Sequence, residues 1–200
     1  IQGISLGAIY YFNPNISTDI IGYKQLGKTP NIGTQVIYST TNNTNTLLGS
    51  FITPINNPSV TYIPAGVWEF NFYSYISGSN NKYGYIYYVI QAVDSLGNLL
   101  QTLGTNQSIP EYIYYNTLTY DLHTTSVTTT SYTTTTDTRI VILIYGNCVN
   151  GTQLYIGLED TTVNYVTSPL SPFNGSTGPT GPTGPRGPQG DTGQGINSIA

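Results

Sequence analysis

The sequence predicts an all-β protein. A jelly-roll-like β-sandwich head is expected over residues 1–172, a collagen-like triple-helical segment over 173–195, and a further segment or an interruption from 196 to 200. Three observations predict it. The composition is that of strands and turns, since Tyr supplies 19 of 200 residues, charged residues make up 7% and Met is absent, so helix formers are scarce and β-branched and aromatic residues abundant. Several segments alternate apolar and polar residues with period two. Near the C-terminus, glycine recurs at every third position.

Residues 5–13 (SLGAIYYFN) read as the first strand, ended by Pro14 and a polar loop. Residues 34–39 and 46–51 follow as shorter strands around the Asn/Thr-rich turn 40–45. After the turn Pro64-Ala65-Gly66, Trp68, Phe70 and Phe72 alternate with Val67, Glu69 and Asn71, the pattern of a strand with one buried face. Residues 83–93 (YGYIYYVIQAV) form a second long strand, and residues 94–98 (DSLGN) turn it into a partner at 99–103. Residues 124–138 are nearly a Thr tract, β-branched but poor in apolar area, which suits an edge or surface strand. Residues 139–145 (RIVILIY) are continuously apolar after the Arg, as a central strand covered on both faces would be. Residues 152–158 and 161–166 complete nine or ten strands. Short strands at fairly even intervals favour a two-sheet sandwich over an α/β arrangement.

The C-terminal register runs through Gly175, Gly178, Gly181, Gly184, Gly187, Gly190 and Gly193, and Pro179, Pro182, Pro185 and Pro188 each follow one of these glycines. Three polyproline-II chains wind together only where glycine faces the crowded axis, so a homotrimer is expected. Thr occupies the third place of the triplet at Thr177, Thr180, Thr183 and Thr192, and such a short stretch needs either the head or further repeats to hold three chains together. Ile1 in place of Met is expected of an excerpt or a processed piece. Cys148 is the one cysteine; it excludes a disulfide framework within the chain and reads as a small buried residue.

The net charge is −4, and Lys24, Lys28, Lys82, Arg139 and Arg186 are scattered, which argues against nucleic acid as a partner. No stretch approaches 18 apolar residues, so no membrane insertion is expected.

The segments AIYYFN (8–13), STDIIGYKQL (17–26), IPAGVWEFNFY (63–73), TRIVILIYG (138–146) and QLYIGLED (153–160) together resemble a head domain that recurs in collagen-repeat-containing surface fibre and capsid-associated proteins of large DNA viruses and some phages. The resemblance spans most of residues 8–160. The Pro-Gly turn entering an aromatic strand is also similar to the trimeric C1q and tumour-necrosis-factor heads. These likenesses imply a homotrimeric sandwich on a collagen-like stalk, located on the virion surface, with other capsid or fibre proteins as partners. The family's His-containing tail has no counterpart in VNYVTSP (163–169).

Candidate chemistry is sparse. His123, the only histidine, has Asp121 two residues away; on a strand the two share a face, but no nucleophile motif accompanies them. Glu159 and Asp160 are adjacent, so on a strand they would point apart, and a strand-end turn is the better reading than a glycosidase pair. No acidic run has calcium-loop spacing. No catalytic, cofactor or metal residues are therefore assigned, and a non-enzymatic protein is expected. Tyr83, Tyr85 and Tyr87 share one strand face, which either packs on the core or on neighbouring subunits, or offers an aromatic contact face for sugar or protein. Asn15, Asn42, Asn106, Asn150 and Asn174 each begin an Asn-x-Ser/Thr triplet, a pattern that arises by chance in so polar a chain. The expected function is structural, a viral fibre or capsid-associated head that trimerises and registers its stalk. The alternatives are an adhesin head that binds a host-surface glycan or receptor, and the head of a bacterial spore-surface filament.

Overall fold

The computed structural model describes residues 7–78, 82–115 and 118–170. The Gly175 to Gly193 register and the boundary at residue 172 lie outside the described residues. Fourteen strands are present among them: β1 (Ile9–Ser17), β2 (Lys24–Gly27), β3 (Val36–Thr40), β4 (Thr46–Ile52), β5 (Tyr62–Ile63), β6 (Gly66–Ser77), β7 (Tyr83–Val93), β8 (Leu99–Thr105), β9 (Glu111–Tyr114), β10 (Asp121–Thr129), β11 (Tyr132–Thr133), β12 (Arg139–Cys148), β13 (Gln153–Leu158) and β14 (Tyr165–Thr167). No helix occurs among the described residues.

Twelve strands form one sheet in the order β3-β13-β6-β14-β1-β2-β4-β12-β7-β8, with β10 on the remaining side of β6 and β9 beside β8 on β7; β5 and β11 make a separate ribbon. Among the described residues only the β2–β4 pairing is parallel. Along this order β6 and β7 are far apart, yet Phe70 stacks on Tyr88 with ring centroids 3.9 Å apart. The sheet therefore folds over through β1, β2 and β4, and its two halves face each other across the core.

Period two decides which side chains meet there. Trp68, Phe70 and Phe72 of β6, Tyr88 of β7 and Ile140 and Ile142 of β12 are all buried, while Val67 and Glu69 face solvent. Phe12 lies edge-on to Phe51 at 5.0 Å and Phe72 edge-on to Tyr88 at 5.7 Å, the geometry that aromatic quadrupoles favour. Truncating one such ring typically costs about 3–5 kcal/mol. One margin is drawn together by backbone, since Thr130 N–H donates to the Leu103 carbonyl at 2.9 Å. A Cβ on Gly104 would sit 2.4 Å from the Thr128 carbonyl oxygen, so only glycine lets β8 approach β10 this closely.

β12 is covered on both faces, as its composition predicts. Its even-numbered residues enter the core, while Val141 joins Ile52 and Val93 in a second cluster on the outer side, beneath Ile20 and Tyr23. The segment carrying those two residues is anchored by charge. Arg139, fully buried, donates to both carboxylate oxygens of Asp19 at 2.8 and 2.9 Å and to the carbonyls of Thr53 and Ser95. A buried guanidinium needs this degree of satisfaction.

The structure departs from the sequence reading in several places. β1 passes through Pro14 to Ser17, because its register against β2 shifts between Asn13 and Ser17; at such an irregularity a missing N–H costs no ladder bond. β2, β5, β9 and β11 are additional, four residues or shorter, and raise the count above nine or ten. The last strand begins at Tyr165 rather than Thr161, because Glu159 and Asp160 (φ 66° and 52°) turn the chain. The Thr-rich segment supplies β10 along β6, and the β7–β8 hairpin turns at Gly97 (φ +85°) as expected.

Hydrogen bonding to Arg139, its largest influence, holds the Asp19 carboxyl below its ordinary value. A depressed folded-state value means that the pair stabilises the fold above the ordinary carboxylate range near 4 and that this is lost as pH falls through the lowered value. Asp19→Ala should lower stability by about 1–2 kcal/mol, less than a fully buried pair because Asp19 is partly exposed. Urea denaturation at neutral pH and at pH 3 checks this, with the gap between variant and parent narrowing in acid. Equal midpoints at neutral pH would show that Arg139 needs no counter-charge.

Candidate functional site

Because Ile86, Tyr88 and Ile90 point into the core, Tyr83, Tyr85 and Tyr87 must point out of the sandwich. The neighbouring strands extend the row. Tyr83 pairs with Tyr114 and Tyr85 with Tyr112 on β9, and Tyr87 pairs with Tyr145 on β12. Tyr87 lies flat on Tyr145, centroids 4.9 Å apart and planes 3° apart, and is only 4% exposed. Tyr83 (38%), Tyr112 (45%) and Tyr114 (64%) are open, with Tyr83 to Tyr112 at 5.5 Å and Tyr112 to Tyr114 at 6.4 Å. The Tyr85 hydroxyl donates to Asn45 Oδ1 at 3.0 Å, tying the 41–45 turn to the edge of the row. Partial burial and then the neighbouring tyrosines raise the Tyr85 and Tyr87 hydroxyls above their ordinary range, so these two stay uncharged through neutral pH.

The row occupies the same outer face that Ile20 and Tyr23 cover further along β7 and β12. One end of that face is roofed and the other is open. Such a surface can hold a ligand with apolar faces and hydroxyl edges, or an apolar protein surface.

A second aromatic cluster lies on the outer side of the opposite half. Tyr75 stacks on Tyr155 at 4.5 Å and Tyr120 stands edge-on to Tyr75 at 4.8 Å. Burial pushes the Tyr120 hydroxyl up to about 12, and that oxygen is enclosed without a hydrogen-bond partner.

The other candidates resolve differently. Asp121 and His123 do share a face of β10; the His123 ring stacks on Phe72 at 5.6 Å, and its Nδ1 lies 3.7 Å from the carboxylate of Glu111 on β9. This pair spans the gap between β9 and β10 beside the core. Glu159 and Asp160 form the expected turn. Asp160 is exposed, whereas Glu159 is 2% exposed and accepts from Asn15 N–H, Asn15 Nδ2 and Asn31 Nδ2, which ties this turn to the end of β1 and to the loop carrying Asn31. Among the described residues, no three His, Cys, Asp or Glu side chains are grouped to hold a metal ion. Cys148 is buried, its Sγ donating to the Thr40 carbonyl at 3.3 Å.

No family model matches the chain, and no curated protein does. Solved structures do match. A CocE/NonD family hydrolase from Staphylococcus aureus is similar with a TM-score of 0.55 at 8% identity, over 81% of this chain and 36% of that one. An alpha-amino acid ester hydrolase gives 0.49 at 9% identity, over 82% and 36%. An aminopeptidase from a marine-sediment Thaumarchaeota archaeon gives 0.45 at 9%, over 80% and 37%. The chain spans about a third of the length of the hydrolases it matches, and at such identities the likeness is one of fold. It nevertheless corrects two expectations. The structural reading, with its adhesin and spore-filament alternatives, and the exclusion of enzymes both give way, because the architecture is one that hydrolases carry.

Alkaline titration tests the tyrosine environments. Tyrosines whose folded-state values are raised contribute stability below about pH 10 that is lost as pH climbs through those values. Tyr120→Phe should leave stability at pH 8 unchanged or slightly higher, since it deletes an unsatisfied buried hydroxyl, and should lessen the loss between pH 10 and 12. Denaturant midpoints at the three pH values decide it; a marked loss at pH 8 would mean that the hydroxyl is satisfied.

Proposed function

We propose that the chain is the β-sandwich portion of a hydrolytic protein, and that within it the tyrosine face holds a carbohydrate chain. The observation that carries this reading is the row in which Tyr83, Tyr112 and Tyr114 stay open while Tyr87 and Tyr145 stack flat beside them. Aromatic rings pair an apolar face with a polar tip, which matches a sugar's C–H face and hydroxyl rim. Outward residues on one strand stand about 6.6–6.8 Å apart, roughly the size of one sugar ring, so the open pair Tyr112 and Tyr114 of β9, 6.4 Å apart, would meet successive units. The scattered cations favour a neutral ligand over an acidic one. The hydrolytic setting rests on the shared architecture and on the chain's matching only about a third of the hydrolase.

In the same proposal the sandwich is jelly-roll-like, and the glycine register from Gly175 to Gly193 winds three copies into a collagen-like segment. A trimer would present three tyrosine faces at once, raising avidity without any new contact.

Calorimetry of the whole chain against soluble neutral polysaccharides tests the ligand. Tyr83→Ala, Tyr112→Ala and Tyr114→Ala should each weaken binding about 2- to 10-fold, the equivalent of roughly 0.5–1.5 kcal/mol per aromatic contact. Tyr155→Ala, on the opposite half, should leave it unchanged. If the triple variant binds as the parent does, or no polysaccharide binds the parent, the reading fails.

A further inference from the structure

The four Asn-x-Ser/Thr triplets within the described residues are equivalent as sequence and unlike as structure. Asn106 is buried; its Oδ1 accepts from Tyr88 N–H at 2.8 Å and its Nδ2 donates to Thr125 Oγ1 at 3.1 Å. Asn15 has its Nδ2 committed twice, to the Thr34 carbonyl at 2.7 Å and to Glu159, so substitution would take a hydrogen from a buried carboxylate's donor set. Asn150 is exposed, but the hydroxyl of its triplet belongs to Thr152, which is buried and donates to the Val149 carbonyl.

Asn42 differs on each count. Residues 41–45 are all exposed, so both the acceptor amide and the Thr44 hydroxyl are presented together. The backbone beneath is pinned, with Asn42 N–H donating to Thr40 Oγ1 at 3.1 Å and the Asn42 carbonyl accepting from Cys148 N–H at 2.9 Å. The side chain is held only by an exposed bond from Nδ2 to Thr46 Oγ1 at 3.0 Å. Glycosyl transfer to Asn needs a surface loop from which that nitrogen can reach the donor.

We propose that Asn42 is an acceptor for an N-linked oligosaccharide, and that Asn15 and Asn106 are not. The sugar comes from a polyprenyl-diphosphate-linked oligosaccharide. Asn42 Nδ2 bonds to its anomeric carbon, the bond from that carbon to the diphosphate oxygen breaks, the lipid diphosphate leaves with the electron pair, and one amide proton passes to solvent. The glycan would stand on the turn whose Asn45 receives the Tyr85 hydroxyl, at the margin of the tyrosine row.

The test is to secrete the whole chain, with a reference Asn-x-Thr triplet appended, from a eukaryotic cell that N-glycosylates, and to map occupancy by peptide mass spectrometry after glycosidase treatment. Asn42 should be occupied on most secreted molecules and Asn15 and Asn106 on essentially none. Asn42→Gln and Thr44→Ala should each remove that modification while leaving secretion intact. An unmodified Asn42 on molecules whose reference triplet is modified overturns the proposal, as does occupancy at Asn15 or Asn106 in folded, secreted chain.

Discussion

Where Phe70 lies flat on Tyr88, the two halves of the sheet come within 3.9 Å, ring centroid to ring centroid, at the centre of the molecule. The contact does more than bury area. On a strand, a single side chain committed inward commits every second residue on either side of it. With Tyr88 inside, Ile86 and Ile90 follow it and Tyr83, Tyr85 and Tyr87 are turned out. With Phe70 inside, Trp68 and Phe72 follow, and Tyr75 is turned out to meet Tyr155. A one-residue slip of β7 would bury the outward tyrosines and expose the aliphatic residues, so core packing and the tyrosine row are specified by the same contact.

The second constraint is the charge of Arg139. Its guanidinium emerges on the outer side of β12, where no water can satisfy it, and the Asp19 carboxylate and two carbonyls do so instead. Holding Asp19 there brings Ile20 and Tyr23 down over Ile52, Val93 and Val141. That apolar patch would otherwise run on toward the tyrosines along the same face. Arg139 thus helps to set how much of the outer face is open.

What was legible in the sequence follows from the strength of each local signal. The alternation through Trp68, Phe70 and Phe72 and the apolar run after Arg139 are long enough to reveal strand, face and centrality. Pro14 misled because proline is disfavoured within a ladder, and only the irregular pairing with β2 shows why it is tolerated. β2 and β9 carry four residues each, too few for a period to register. Tyr83, Tyr85 and Tyr87 were visible as a face, but Tyr112, Tyr114 and Tyr145 were not joined to them, because pairing partners distant in sequence are a property of topology. The alternation in Glu111-Tyr112-Ile113-Tyr114 was the available signal. Glu111 was missed as a partner of His123 for the same reason, since it stands on another strand, whereas Asp121 was the local candidate on the same face.

The flat stack of Tyr87 on Tyr145 bears on how such a face can work. A ligand that lies on mobile side chains must first order them, at about 0.5–1.5 kcal/mol for each rotamer-rich chain. Here two rings are inlaid against each other, Tyr85 is tethered through its hydroxyl to Asn45, and Tyr112 touches Tyr83, Tyr85 and Tyr114. Each open ring is therefore flanked by another whose place is already set by a strand pairing. Tyrosine also has few rotatable bonds to freeze, so the ordering cost falls mostly on folding and little of it remains for binding. A row built on paired strands, with Tyr85 tied to the adjoining turn through Asn45, is thus suited to a repetitive ligand that must be held without rearrangement.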